Sequence, residues 1–189
     1  MKSVFISLII VAWFNLNGIS QYKIEVYNPK KTTITIEEHK LYTQINSYRE
    51  KNKLPAIPLS KALSHVAKVH SKDLELNLKN LTHGWSTCKY KDSQSKTYPC
   101  MWDKPTELTT YKGTGYECAH GGEGEYVATA ATSLIGWQNS KHHNNVILNK
   151  SIWKNSKWNA IGVGIYGGYS TIWFGEEKDI DGSPETKSK

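Results

Sequence analysis

Residues 115–175 carry the strongest structural signal in this chain, in four segments: GYECAHGG (115–122), WQNSKHHNNVI (137–147), WNAIGVGIY (158–166) and YSTIWFG (169–175). The last two segments are mostly apolar and flank Gly167-Gly168, a pair typical of a two-residue β-hairpin turn. Glu117 and His143 precede this hairpin in the first two segments. The stretch therefore predicts an antiparallel hairpin that follows a carboxylate and an imidazole along the chain.

Helical periodicity marks the region ahead of this stretch. Thr35 and Glu38 have the spacing of a capping box. Behind them, Leu41, Ile45 and Tyr48 repeat at i, i+4 and i+7, which predicts a helix that ends near residue 53.

Two more helices are predicted further along the chain. Ser60 is a suitable N-cap for the second helix, and a third is expected from about Glu123 to Asn139. Helices followed by a hairpin indicate an α+β domain. The apolar stripe of the second helix consists of Leu59, Leu63, Val66, Ala67, His70 and Leu74.

The two ends of the chain differ from this domain in composition. Residues 1–20 combine Lys2, an apolar run and small residues, which predicts a secretory signal peptide cleaved between Ser20 and Gln21. An uncleaved anchor is the alternative, but the run is short for a membrane span and no other segment is apolar enough. We divide the chain into a signal peptide (1–20), an extended leader (21–37), the domain (38–176) and a flexible polar tail (177–189).

The charge argues against a specific nucleic-acid partner. The formal charge is +7, from 24 Lys and Arg against 17 Asp and Glu, and it becomes +6 without Lys2. Arg49 is the only arginine, and the lysines are scattered instead of forming a groove. We therefore interpret the charge as solubilising surface charge.

Three cysteines follow the predicted signal peptide. Cys88 and Cys100 bracket a polar loop and are the natural disulfide pair in an oxidising compartment, which leaves Cys118 free and buried. Pairings through Cys118 remain open at this point. A zinc site built from all three thiolates is disfavoured because no CxxC spacing is present. Two glycosylation sequons begin at Asn80 and Asn149.

The chain resembles the CAP superfamily, which covers cysteine-rich secretory proteins, antigen 5 and pathogenesis-related group 1 proteins. The resemblance spans roughly residues 38–176 and implies an α+β fold, a three-layer α-β-α sandwich with a central antiparallel sheet. Four features carry it: the block INSYREKNKLPAIPLSKALSHVAKVHSKDL (45–74), the LTHGW tract (81–85), the GYEC segment, and WQNSKHHN leading into GVGIY.

The resemblance also implies a central cleft with two histidines and two acidic residues. His83 in THGW matches the first histidine, and Glu117 matches the Glu of the Gly-Glu-Asn motif, although Cys118 follows it here. His143 is the candidate for the second histidine, outside the Gly-His-Tyr form that many members have. The second acidic position falls at Ser140, which is no carboxylate, so a complete tetrad is not expected. Glu123 and Glu125 are the nearest substitutes along the chain.

Among these cleft residues, His83 and His143 are the candidate zinc ligands, because neutral imidazoles ligate zinc. The sequence has no HExxH motif, so we favour weak zinc binding, or side chains that only hydrogen-bond one another, over a dedicated metalloenzyme. We require no cofactor and assign no catalytic residue. Among the remaining histidines, His70 is predicted to be a satisfied core residue, His142 to be exposed, and His39 and His65 to lie on helix surfaces. Trp85 and Trp102 are candidates for lining a groove.

Three functions fit these observations. The first is a secreted protein that binds a sterol, a lipid or another extracellular ligand through the central cleft. The second is a metal-assisted hydrolase of peptides or nucleic acids that uses His83, Glu117 and His143. The third is an adhesive or immune-modulatory surface protein. We favour binding over catalysis because the second carboxylate for acid–base chemistry is missing.

Overall fold

The computed structural model describes residues 21–187, so the predicted signal peptide lies outside the described residues. The helices are α1 (Ile36–Lys51), α2 (Lys61–Asp73), α3 (Pro99–Trp102), α4 (Lys104–Leu108), α5 (Ala130–Asn139) and α6 (Lys141–Ile147). The strands are β1 (Thr33–Thr35), β2 (Tyr116–Gly121), β3 (Ala160–Tyr166), β4 (Tyr169–Gly175) and β5 (Glu185–Lys187). No helix within residues 21–187 is long and apolar enough to cross a membrane.

The central sheet is antiparallel, in the order β2-β4-β3. The predicted hairpin is confirmed: β3 and β4 pair from Tyr166 opposite Tyr169, around a turn in which Gly167 has a φ of 56°. Strand β2 pairs with the other edge of β4 and places Glu117 opposite Trp173. Glu117 therefore lies on an edge strand, directly beside the central strand β4, although it is far from the hairpin in sequence.

Helices cover both faces of this sheet, which confirms the α-β-α sandwich. Successive residues of β4 alternate between the faces: Ile172 packs in one hydrophobic cluster with Leu41 of α1 and Trp137 of α5. Trp173 packs in the other cluster with Val66 of α2. Because the period of a strand is two, one apolar strand contributes to both cores.

Two glycines of β3 let α2 lie directly on the sheet. A Cβ atom on Gly162 would lie 2.0 Å from the carbonyl carbon of Leu63, and one on Gly164 would lie 2.4 Å from that of Ala67. Real side chains do not tolerate such distances, so the GVG sequence of β3 sets how closely α2 approaches. Helix α2 carries His70, and its close seat places that ring against Glu117.

The helix caps agree with the sequence at two starts and differ at one. The Glu38 amide donates to Thr35 Oγ1 and the Thr35 amide to the Glu38 carboxylate, so the capping box is confirmed. Ser60 caps α2 by accepting from the Leu63 amide. The prediction that the third helix starts near Glu123 is wrong: Thr129 is its N-cap, and Gly124, at a φ of 80°, belongs to a loop.

The tail that was expected to be loose packs onto the domain. The Asp179 carboxylate accepts from Ser60 Oγ at 2.6 Å and from the Ala62 amide at 2.8 Å, at the start of α2. Tyr27 of the leader donates to Asp181 at 2.7 Å, and β5 pairs in parallel with β1. Composition predicted a loose segment, but two carboxylates with defined partners hold it in place.

The two sequons lie in different environments. Asn80 is exposed in an irregular segment. Asn149 accepts from Arg49 Nη1 at 2.7 Å and donates to the Ser156 carbonyl at 2.9 Å, so its amide is already part of the fold.

Candidate functional site

The centre of the site is the buried carboxylate of Glu117 on β2, whose side chain is fully shielded from solvent. One of its oxygens bonds Nδ1 of His70 on α2, and the other accepts from Nδ1 of His83 at 2.7 Å. The second ring nitrogen of His70, Nε2, donates to the Gly84 carbonyl at 3.0 Å. Three segments far apart in sequence therefore meet at one carboxylate.

Hydrogen-bond roles define the charge of this cluster. A carbonyl oxygen only accepts, so Nε2 of His70 carries a proton, and an ionised carboxylate also only accepts, so Nδ1 carries one too. Burial by itself raises the pKa of Glu117, but the charges and hydrogen bonds of His70 and His83 outweigh it and lower the pKa to about 2. Glu117 and His70 therefore form a buried ion pair.

Aromatic rings seal this ion pair from solvent. The His70 ring stacks on Trp85, with centroids 4.2 Å apart, and meets Trp173 edge-on at 6.1 Å. Trp85 is only 2% exposed, so the prediction that it lines a groove is wrong. The Trp85 ring faces inward and covers His70, whereas Trp102 is half-buried.

A cavity of about 260 Å³ lies in front of the ion pair. The structure brings His83 and His143 to its walls, with Glu117 directly behind His83. Its lining consists of Leu81, Thr82, His83, Tyr90, Lys91, Asp92, Ala119 and His143. Burial alone would lower the pKa of His83, but the hydrogen bond and charge of Glu117, together with the charge of Asp92, raise it above its ordinary value.

His143 occupies the third position of α6, so His142 and His143 lie on a helix. His143 is half-buried, while His142 is exposed. Burial, followed by repulsion from His83, lowers the pKa of His143 to about 4. The ring is therefore a neutral hydrogen-bonding group near pH 7.

The carboxylate of the cavity comes from a position that sequence reasoning missed. Ser140 starts α6 and, like Glu123 and Glu125, is not among the residues that line the cavity in the described chain. Asp92 lines it instead. The local sequence around Asp92 is polar and has no periodicity. Only its position between Cys88 and Cys100 could have indicated that it lies at the cavity.

The loop that carries Asp92 is closed by the Cys88–Cys100 disulfide, which confirms the predicted pairing. The Cα atoms of the two cysteines lie 5.7 Å apart. Cys118 is free and buried, and burial raises the pKa of its thiol well above the ordinary value.

The described residues do not complete a zinc site. Within residues 21–187, no group of three or more His, Cys, Asp or Glu side chains is arranged to hold a metal ion. His83 uses Nδ1 for Glu117, which leaves Nε2 and the His143 ring as the donors at the cavity. Zinc usually takes three or four protein ligands, so zinc at this pair stays a prediction.

The other histidines lie elsewhere, and one prediction about them is wrong. His65 was expected on a helix surface but is buried, because the leader crosses α2 there. Its Nε2 bonds the Glu25 carbonyl at 3.0 Å, and its ring packs edge-on against Tyr27. His120 bonds the Tyr126 hydroxyl at 2.7 Å on the α5 side of the sheet. His39 is exposed, as predicted.

A second, larger groove of about 860 Å³ lies apart from the cavity, between the starts of α1 and α5 and the end of β3. Ile36 and Val127 line it and are 60% and 65% exposed. Lys68 and Lys72 also line it, but Lys68 donates to the Thr33 carbonyl and Lys72 pairs with Glu25. The exposed surface of the groove is therefore mostly apolar, although Glu37 and Glu38 also line it.

Comparison with known proteins adds a family and a fold. A model of the cysteine-rich secretory protein family, CAP, matches residues 42–175. The 1.5 Å crystal structure of an extracellular protein containing an SCP domain from Bacillus anthracis str. Ames is similar at a TM-score of 0.56 and 20% identity. That likeness covers 75% of this chain and 40% of the other, so the chain spans less than half of that protein's length.

A second solved structure is similar over the same share of the chain. It is the crystal structure of a cysteine-rich secretory protein from Staphylococcus aureus subsp. aureus Mu50, with a TM-score of 0.47 and 21% identity over 75% of this chain and 39% of the other. No curated protein matches the chain significantly.

Proposed function

Because the chain belongs to the CAP family of cysteine-rich secretory proteins, we propose that it is an extracellular binding protein whose cavity at His83 and His143 takes a small polar ligand. The observation that carries this proposal is the state of Glu117. Both of its oxygens are engaged by imidazoles, its side chain is fully buried, and its pKa is about 2. Such a carboxylate neither takes up nor releases a proton near neutral pH.

The state of His143 also supports binding over turnover. An efficient general base has a pKa near the working pH. The pKa of His143, about 4, makes this ring a weak base at neutral pH. The His143 ring is therefore better suited to form a hydrogen bond with a bound molecule than to activate water.

Size and chemistry narrow the ligand. Pockets for drug-sized molecules have volumes of roughly 300–1,000 Å³, and the cavity of about 260 Å³ lies just below this range. Imidazoles, a phenol, an ammonium and a carboxylate surround it. These features support a small molecule with several hydrogen-bonding groups more than a sterol.

A lipid is a second candidate, and its support comes from the other groove. The exposed apolar side chains of Ile36 and Val127 favour an apolar ligand there. Binding of a fatty acid or a sterol that is lost in Val127→Glu and retained in His143→Ala would select this groove over the cavity.

The test compares two neighbouring histidines on α6. Amide chemical shifts are followed by NMR while monosaccharides, amino acids, small carboxylic acids and Zn²⁺ are added one at a time. We expect one of these classes to shift Ala119 and residues 81–92, and His143→Ala to abolish the shift. His142→Ala is the matched control because His142 is exposed and should leave binding unchanged.

The hydrolase alternative has its own readout. A screen of peptide and nucleic-acid substrates should be blank for the wild type and both variants. Turnover that His143→Ala abolishes and His142→Ala preserves would contradict the binding proposal. Secretion is tested separately, by N-terminal sequencing of exported protein, which should begin near Gln21.

A further inference from the structure

The cavity has two walls of different origin. Ala119 of β2 and His143 of α6 belong to one wall, which continues into the packed core. Tyr90, Lys91 and Asp92 belong to the other, and all three lie in the disulfide-closed loop between residues 88 and 100. A phenol, an ammonium and a carboxylate therefore face the two imidazoles from a single loop.

This loop acts directly on the groups of the site. The Tyr90 ring packs edge-on against the His83 ring, with centroids 5.2 Å apart. The charge of Asp92 contributes to the raised pKa of His83, and, after burial, it is the next cause that raises the pKa of Tyr90 to about 12. A movement of the loop would therefore change both the shape and the charge of the cavity.

Most of the bonds that shape the loop are internal to it. Thr97 Oγ1 accepts from the Lys91 amide at 2.9 Å, and the Tyr98 hydroxyl donates to the Asp92 carbonyl at 2.6 Å. The Tyr90 and Tyr98 rings stack at 5.3 Å. Residues 91–96 are all exposed, which is typical of segments that open locally at low cost.

The attachment to the domain is concentrated at the base of the loop, where Tyr90 also packs against the α2-side core. Cys100 is buried in the α2-side core, and the Trp85 amide donates to the Cys88 carbonyl at 2.9 Å. The disulfide joins these two anchored positions across 12 residues of chain. Breaking it would leave the internally bonded loop tethered at both ends but free to separate from the imidazoles.

We propose that Tyr90, Lys91 and Asp92 form the ligand-determining wall of the cavity and that the Cys88–Cys100 disulfide holds this wall against His83 and His143. The role in ligand choice rests on the proposed function, whereas the position of the wall does not. A dithiol reductant opens the wall by thiol–disulfide exchange. One of its thiolates attacks a cysteine sulfur and breaks the S–S bond, and its second thiol then displaces the protein thiol. Two electrons and two protons pass to Cys88 and Cys100, and the reductant leaves as a disulfide.

The experiment uses the histidines of the protein as probes. Diethyl pyrocarbonate acylates accessible, unprotonated imidazoles, and peptide mass spectrometry measures the rate at each histidine. The wild type is compared before and after dithiol treatment, together with the double variant Cys88→Ser/Cys100→Ser. We expect His143 to react roughly fivefold faster or more once the disulfide is absent, as for a segment released by local opening.

Internal controls are present in the same molecule. His39 and His142 are exposed and should react equally in all forms, while His70, buried with both nitrogens bonded, should stay protected in all forms. Unchanged reactivity of His143 with the disulfide absent would overturn the proposal. The proposal would also be overturned if His70 and His143 both became reactive in the reduced protein and in the double variant. That result would mean that the loop cannot open without the core opening too.

Ligand binding separates this proposal from the proposed function. Asp92→Asn and Tyr90→Phe keep the disulfide and should weaken binding of the ligand class found by NMR at least about tenfold, which corresponds to about 1.4 kcal/mol. If every ligand class is blank while reduction accelerates His143, the proposed function fails and the wall stands. If a ligand binds equally to oxidised, reduced and Asp92→Asn protein, the wall fails and the proposed function stands.

Discussion

The two walls of the cavity are built on opposite principles. On one side, the wall that contains Ala119 and His143 continues into the core, where the side chains of His70 and Glu117 are fully buried. On the other side, Lys91 and Asp92 are exposed loop residues brought into place by a covalent bond. One cavity therefore combines a wall that is part of the packed core with a wall that a covalent bond attaches to it.

Energetics explain why the walls differ. Ionised groups removed from water are costly unless they are paired, so the Glu117–His70 pair persists only while α2 and β2 stay in register. Exposed charges remain hydrated and contribute little to stability. A change in the buried wall should therefore alter the free energy of unfolding, whereas a side-chain change in the loop should alter binding.

The largest effect is expected where α2 sits on β3. Gly162→Ala would put a Cβ atom 2.0 Å from the Leu63 backbone, and we expect the free energy of unfolding to fall by about 4 kcal/mol or more. Urea denaturation followed by circular dichroism measures it. Gly122→Ala is the matched control, because among the described residues nothing lies within 4 Å of its added Cβ. A near-native Gly162→Ala protein would show that the buried wall does not depend on this close seat.

Breaking the buried ion pair should be next in size. Glu117→Gln leaves the charge of His70 without its partner, and we expect a loss of about 3–5 kcal/mol at neutral pH. Glu25→Gln removes a half-exposed partner of Lys72 and should cost less than about 1 kcal/mol.

The pH dependence gives this prediction a sign. The pKa of Glu117 is lowered from its ordinary value of 4.5 to about 2. Its contribution to the free energy of unfolding is therefore fully present above pH 4.5 and is lost as the pH falls towards 2. The difference between wild type and Glu117→Gln should therefore shrink over that window. A difference that stays constant would mean that packing, and not charge, holds this wall.

Removal of the disulfide should be third in size. Cys88→Ser/Cys100→Ser releases a short loop, and we expect a loss of about 3 kcal/mol, mostly through the unfolded chain. NMR shifts of the His70 ring should stay native in this variant. Large changes in the His70 shifts would contradict the view that the loop wall can move without disturbing the core.

The smallest effect is expected at His143, on the core-side wall. Its pKa is about 4 in the fold and about 6.5 in an unfolded chain, so between these values the unfolded chain binds more protons. Stability should therefore rise with pH across this window, by about 1–2 kcal/mol after discounting for partial exposure. His143→Gln should remove this rise and His142→Gln should keep it, as measured by unfolding at pH 4.5 and pH 7. Equal slopes in all three proteins would mean that His143 is freely hydrated.

Local patterns predicted the framework of the molecule correctly. The capping box at Thr35, the cap at Ser60 and the Gly167-Gly168 hairpin depend on contacts between residues a few positions apart, which a sequence displays directly. The third helix was placed too early because apolar spacing extends through a loop, while the left-handed Gly124 ends helical continuity.

For the site, the resemblance carried by the sequence pointed to the segments of His83, Glu117 and His143, and the sequence favoured the Cys88–Cys100 pair while leaving pairings through Cys118 open. It also indicated that His70 is buried, because this residue continues the apolar stripe of α2. Only the tertiary structure decided that His70 bonds Glu117 across 47 residues, that Trp85 turns inward, and that Asp92 faces the cavity. These contacts join elements that are far apart along the chain, and they depend on how closely α2 packs on β3 and on the closure of the 88–100 loop. Local periodicity describes neighbouring residues only, so it contains no information on either arrangement.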